Sequence, residues 1–199
     1  MTVLIPKILV FAGSTRVGAY SGKVADCAQL ELALQGSEVT RITLADYPLP
    51  LMDEDLEKAE GIPENAYRLA RLFAAHDALL ICTPEYNGSL PPLLKNTIDW
   101  VSRVSRDGGR PLRPYPGRIV ALCSSSDGHF GGVRCIIHLR AILSHIGMEV
   151  ISPQVSVPFG GEAFDDNGDF RAERLRKGMT RLCRTLIEHA RLLSTRIEP

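Results

Sequence analysis

At 199 residues, with 45% hydrophobic and 23% charged residues, the chain has the size and composition of one globular domain and is too apolar for a disordered segment. Lysine plus arginine balances aspartate plus glutamate at 23 each, so no net field recommends nucleic acid or an anionic membrane as a partner. No apolar run approaches the ~20 residues that span a bilayer and residues 1–10 are too short a stretch for a secretion signal, so a cytoplasmic protein is expected.

In chain order, short apolar runs alternate with longer amphipathic stretches, the pattern of a parallel sheet covered by helices on both faces. Residues 7–12 (Lys-Ile-Leu-Val-Phe-Ala) predict a first strand, 21–34 a helix closed by Gly36, and 38–44 a second strand. Residues 46–64 are acidic and hold Pro48, Pro50 and Pro63, which predicts a solvated loop with a short helix. Leu69, Leu72 and Phe73 recur at helical spacing within 66–75. The uninterrupted apolar run 78–83 predicts a central strand buried on both faces. Pro91 and Pro92 suit the first turn of a helix through Leu94, Ile98 and Val101. Residues 118–124 predict a fourth strand, 133–146 a helix ended by Gly147, 149–157 the last strand, and 170–193 a long C-terminal helix.

The five cysteines (Cys27, Cys82, Cys123, Cys135, Cys183) are odd in number and form no Cys-x-x-Cys pair, so they read as reduced thiols. Neither a repeat nor a linker divides the chain, and one domain over 1–199 is expected. Five strands with intervening helices predict a doubly wound α/β domain of three layers, with strand order 2-1-3-4-5. Such sheets bind ligands beyond the carboxyl ends of their strands, at the switch point beside the first.

Three loops fall there. After strand one, Gly13-Ser14-Thr15-Arg16-Val17-Gly18-Ala19-Tyr20-Ser21 joins small and hydroxyl residues to a helix start, which makes an anion site. It lacks both Gly-Lys-Ser/Thr and Gly-x-Gly-x-x-Gly, so it suits a phosphate monoester better than a pyrophosphate. After strand three, Thr83-Pro84-Glu85-Tyr86-Asn87-Gly88 combines a fixed turn with residues that tolerate left-handed backbone, and so presents oriented amides to a flat ring. After strand four, Ser124-Ser125-Ser126-Asp127-Gly128-His129-Phe130-Gly131-Gly132 allows close backbone approach to such a ligand. His129 reads as a solvated loop residue, and the other histidines lack paired metal spacing, so no metal site is assigned.

At these residues the chain resembles the NADPH-dependent FMN reductase family of flavodoxin-like quinone, azo-dye and chromate reductases. The matching motifs are Gly13-Ser14-Thr15-Arg16 with Ser21, the run Thr83 to Ser89, and Leu94-Lys95-Asn96-Thr97-Ile98-Asp99-Trp100. Lys23 stands where the family has asparagine, and Ser125-Asp127-Gly128 departs from its Ser-Pro-Gly wording. The resemblance implies a flavodoxin-like fold, noncovalent FMN, and NADPH or NADH as co-substrate. Electrons would pass to small-molecule acceptors: quinones, azo compounds, chromate or free flavin. It implies that Ser14, Thr15, Arg16 and Ser21 hold the phosphate, that Pro84, Glu85, Tyr86, Asn87 and Gly88 line the ring mostly through backbone, and that Ser124 and Gly128 close the other side. No catalytic acid–base pair is required, because the flavin carries the chemistry. A homodimer or homotetramer is implied as well, with Ile98 and Trp100 suited to the contact. Arg103, Arg106, Arg110, Arg113 and Arg118 share sixteen positions with one acid, Asp107, near the expected flavin edge; they read either as a source, with Arg16, of one or more contacts to the 2′-phosphate of NADPH or as a solvated basic loop or subunit contact. A non-enzymatic electron carrier or a regulatory flavin-binding protein are the competing readings. A carrier docks through an acidic surface, whereas this chain is neutral.

Overall fold

The apolar runs become strands of a single parallel sheet in the computed structural model, which describes residues 5–194. In chain order the elements are β1 (Lys7–Ala12), α1 (Tyr20–Leu34), β2 (Glu38–Ile42), a 3-10 turn (Leu44–Asp46), α2 (Glu54–Glu60) and α3 (Glu64–Ala75). They continue with β3 (Ala78–Pro84), α4 (Pro92–Arg103), a small hairpin of β4 (Arg106–Asp107) and β5 (Arg110–Pro111), then β6 (Ile119–Ser125), α5 (Val133–His145), β7 (Glu149–Val157) and α6 (Glu173–Ser194). The sheet order is β2-β1-β3-β6-β7, which is the expected 2-1-3-4-5 once the hairpin is set apart. Among the described residues no helix is long and apolar enough to cross a membrane.

Alternation along each strand divides the core between two layers. Ile8, Val10, Leu80, Cys82, Ala121 and Cys123 face α1 and α6, while Leu9, Phe11, Leu79, Ile81, Val120 and Leu122 face α3, α4 and α5. Every residue of β6 is buried, as a central strand covered on both faces requires, whereas β2 at the edge is only half-buried. Pro153 sits in β7, the opposite edge, where a missing N–H leaves no ladder partner unsatisfied. The five cysteines are all free thiols, and four of them are buried.

The motif on α4 is structural. Trp100 and Ile98 lie inside the chain's own core, with 0% and 3% exposure, so they are not the subunit contact that the sequence suggested. The indole N–H of Trp100 and the amide of Asn96 both donate to Pro50 O at 2.8 Å, while Asn96 Oδ1 accepts from Met52 N at 2.7 Å. Helix α4 thereby pins the proline-rich acidic loop. Lys95 and Asp99 form an i, i+4 ion pair on the outer face, and the Thr97 hydroxyl closes onto Leu93 O. Trp100→Phe removes one of these bonds and leaves a void; it is expected to cost about 2 kcal/mol, read as a lower denaturation midpoint.

The arginine window is also placed differently from its expected position. Arg118 directly precedes β6, and its guanidinium donates to Ala74 O at the end of α3, so it lies at the amino edge of the sheet. A strand of seven residues separates it from the carboxyl edge, roughly 20 Å away. Arg103 ends α4 and pairs with Glu57, and Arg106 folds back on Gly109 O in the hairpin that follows. Spacing in sequence grouped these residues, but α4 carries them to the end of the sheet remote from the three loops.

Candidate functional site

The β1–α1 loop begins with a tight join. Gly13 N donates to Cys82 O at 2.8 Å, and a Cβ on Gly13 would lie 3.1 Å from Thr83 Oγ1 and Leu94 Cδ2, so a larger residue would press on both side chains. Ser14 Oγ accepts from Arg16 N at 3.3 Å, and Gly18 turns the chain with φ 70°. No side chain caps α1 at Ala19, which leaves the positive end of the helix open to an anion. Ser21 in its first turn is buried, and its hydroxyl has no hydrogen-bond partner. The guanidinium of Arg16 lies 5.6 Å from the Tyr20 ring centre, at the rim.

In the β3–α4 loop Asn87 (φ 49°) and Gly88 (φ 79°) both take left-handed backbone. Tyr86 and Ser89 exchange backbone bonds at 2.9 and 3.0 Å across them. This is the two-residue turn that Asn-Gly favours. The Tyr86 ring stands 47% exposed above it. Glu85 does something the sequence did not suggest. Its side chain is only 6% exposed, and its carboxylate accepts from Arg134 Nη2 at 2.6 Å, Arg134 Nε at 3.0 Å, and the backbone N–H groups of Arg134 and Cys135 at 3.1 and 3.2 Å. Burial pushes this carboxyl up, but the bonds from Arg134 and Cys135 outweigh it and hold the pKa below the ordinary carboxylate value.

In the β6–α5 loop the hydroxyl of Ser124 is already committed, donating to Gly131 O at 2.7 Å and meeting Ser156 Oγ at 3.1 Å. Ser124 therefore ties the loop to the sheet and has no donor left for a ligand. Its neighbour Ser125, on the alternate face of the strand, is buried with an unpartnered hydroxyl. Gly128 N is taken by Ser126 Oγ at 3.1 Å, and Gly128 lies exposed in the turn. His129 packs edge-on against Phe130 and Phe159 at the surface, with centroids 5.5 and 5.8 Å apart. The segment after β7 closes against this loop. Gly160 N donates to Ser126 O, Gly161 N to Asp127 Oδ1, and Gly160 has no room for a Cβ because the Tyr20 ring occupies that space.

The three loops enclose a cavity of about 250 Å³ lined by Ser14, Arg16, Ser21, Pro84, Glu85 and Tyr86 from the expected set. Ala19, Tyr20, Ser125, Ser126 and Asp127 complete it, residues of the same loops to which the sequence assigned no contact. An adjoining depression of about 200 Å³ shares Ser14, Arg16 and Ala19 and adds Thr15 and Lys23. Asn87, Gly88, Ser124 and Gly128 do not line either. A larger depression, about 560 Å³, lies between α1 and the 167–180 segment. None of the unpartnered buried polar atoms found among the described residues lines it. Two of them, Ser21 Oγ and Ser125 Oγ, belong to residues that line the smaller cavity. Buried hydroxyls without partners cost free energy, so their convergence on one cleft indicates a polar ligand. An open helix start with a buried hydroxyl and Arg16 beside it suits a phosphate monoester. The rigid turn and aromatic rim next to it suit a flat ring. The donor set fits FMN.

Comparison with known proteins identifies the family. A family model described as NADPH-dependent FMN reductase matches residues 6–162. A quinone reductase of Escherichia coli (strain K12) is 37% identical over 147 residues, which cover 73% of each chain. An NAD(P)H-dependent FMN reductase of Pseudomonas aeruginosa is 35% identical over 173 residues, covering 86% of this chain and 88% of that protein. Among solved structures, the flavoenzyme NAD(P)H:(acceptor) oxidoreductase FerB from Paracoccus denitrificans superposes with TM-score 0.78 at 26% identity, covering 95% of this chain and 99% of that one.

Proposed function

The chain belongs to the NADPH-dependent FMN reductase family, and from that footing we propose that it oxidises NADPH or NADH through bound FMN and reduces quinones. Its fold is flavodoxin-like, and the family makes it an FMN-dependent oxidoreductase. The observation that carries the site assignment is that Ser21 and Ser125, whose buried hydroxyls have no partner, both line one cleft at the switch point of the sheet. Quinones are favoured as acceptors because relatives from Escherichia coli and Burkholderia, 37% and 31% identical, are named quinone reductase and 2-hydroxy-1,4-benzoquinone reductase.

Bound FMN would supply the redox chemistry that links nicotinamide to acceptor. The protein's part is binding, orientation and field. Ser14, Thr15, Arg16 and Ser21 would hold the phosphate at the positive end of α1. Pro84 with the Asn87-Gly88 turn would present the ring with rigid backbone, and Ser125 and Ser126 would close the opposite wall in place of Ser124 and Gly128. No side chain is needed as an acid or base. The thiols fit a reducing compartment, in keeping with a cytoplasmic enzyme. Tyr86, Phe130 and Phe159 leave apolar surface near the cleft that a second copy would cover in a homodimer or homotetramer.

The test is direct. The purified protein, reconstituted with FMN, should show a flavin absorption spectrum and oxidise NADPH or NADH faster when a benzoquinone is added. Protein that stays colourless after FMN is supplied overturns the reading. Flavin uptake without nicotinamide oxidation would favour an electron carrier instead.

A further inference from the structure

The carboxylate of Glu85 is spent inside the protein, and the place where it is spent matters. Helix α5 begins after Gly132, whose φ of 81° and absent side chain leave its first amides without a cap of their own. A serine or aspartate could not be placed there, because a Cβ on Gly132 would lie 3.0 Å from Ser124 Cβ. Glu85 supplies the cap from 49 residues away, taking the Arg134 and Cys135 N–H groups with one oxygen and the Arg134 guanidinium with the other. Glu85 stands one residue past β3, at the start of the turn that carries Asn87 and Gly88. The β6–α5 loop, the other wall of the cleft, ends at the helix it caps.

We propose that Glu85 is a positioning residue that latches these two walls together and sets the width of the ring site, with Arg134 as its clamp. The proposal rests on the FMN reading given above. It assigns the side chain no contact with the flavin. A carboxylate suits the role because it accepts at both oxygens; a glutamine offers one acceptor and turns its NH2 toward donors. The helix end adds to the attraction, since its amides carry partial positive charge.

Glu85→Gln keeps the shape and removes the latch. Hydrogen–deuterium exchange of the apo protein should become faster at the Arg134 and Cys135 amides, with β1 and β3 unchanged. FMN dissociation constants should rise about 10-fold or more. The loss should fall mainly on FMN affinity, with the turnover number at saturating FMN lowered by a smaller factor. Arg134→Met, which spares the backbone bonds, should give a smaller loss. Asp53→Ala serves as the control, because Asp53 caps α2 through Asp55 N and Leu56 N and lines neither cavity of the site. It should lower stability and leave FMN affinity alone. Unchanged exchange at α5 in Glu85→Gln overturns the latch. A turnover loss at saturating FMN as large as the loss of affinity would show that Glu85 acts on the ring directly. Equal loss of FMN in Asp53→Ala would reduce Glu85 to general stability. Wild-type protein that takes up no FMN overturns the functional reading, while the exchange data still report on the latch.

Discussion

Gly131→Ala is expected to abolish FMN retention and to lower folding stability by about 3 kcal/mol. Two costs combine at this residue. Its φ of 59° lies in the left-handed region, which an alanine enters at a penalty of roughly 1–2 kcal/mol. A Cβ there would also lie 2.7 Å from Pro158 N and Val157 C and 2.9 Å from Val157 N. All three atoms are backbone, at the carboxyl end of a strand, so none can rotate away. The loop must move instead, which breaks the bond from Ser124 Oγ to Gly131 O and shifts the start of α5. For a chain of 199 residues such a loss should lower the melting temperature by roughly 6–12 °C. Gly128→Ala is the matched control: its backbone needs no left-handed turn, and a Cβ would meet only Ser126 Oγ at 3.4 Å. Differential scanning calorimetry and FMN titration of both variants decide the matter. Similar results for the two would mean that the loop's close approach to β7 is unimportant.

The contrast between these glycines shows where sequence reading stops. Strands announced themselves through uninterrupted apolar runs, and the final strand was bounded at residues 149–157, as β7 is. The three loops followed from strand order, because a parallel sheet gathers its carboxyl ends on one edge. Within a loop, however, function depends on which face of a strand a residue occupies. Ser124 and Ser125 are alike in sequence, but the pleat turns one hydroxyl to Ser156 and leaves the other without a partner in a residue that lines the cleft. Glu85 was legible as part of a motif, yet its partner Arg134 lies 49 residues on, and nothing local announces that bond. The arginines of 103–118 misled for the opposite reason. Proximity in sequence is no guide to proximity in space when a helix of 12 residues intervenes, carrying the chain about 18 Å from the cleft. Trp100 stands about 120° around α4 from Leu94, off the Leu94–Ile98–Val101 stripe, and the loop through Pro50 to which its indole donates is remote in sequence.

Ser21→Ala and Ser125→Ala should act on stability and on FMN in opposite directions. Each hydroxyl is buried and unpartnered in the protein without ligand, so removing it relieves a desolvation cost of about 1 kcal/mol. The apo protein should therefore melt roughly 2–4 °C higher in each variant. FMN would satisfy both groups. A hydrogen bond to a charged phosphate contributes about 1.5–3 kcal/mol, so Ser21→Ala should weaken FMN binding roughly 10–150-fold. Ser125 faces the same cavity from the β6 side, away from the open end of α1, where a neutral partner contributes about 1 kcal/mol and its loss roughly 5-fold. A ligand site built at the expense of the empty protein predicts this pairing of signs, whereas a hydroxyl with a purely structural role predicts lower stability in both states. If Ser21→Ala lowers the apo melting temperature, the hydroxyl has a partner in the protein and the phosphate assignment falls. If it raises stability but leaves FMN affinity untouched, the cleft binds something polar that is not the FMN phosphate.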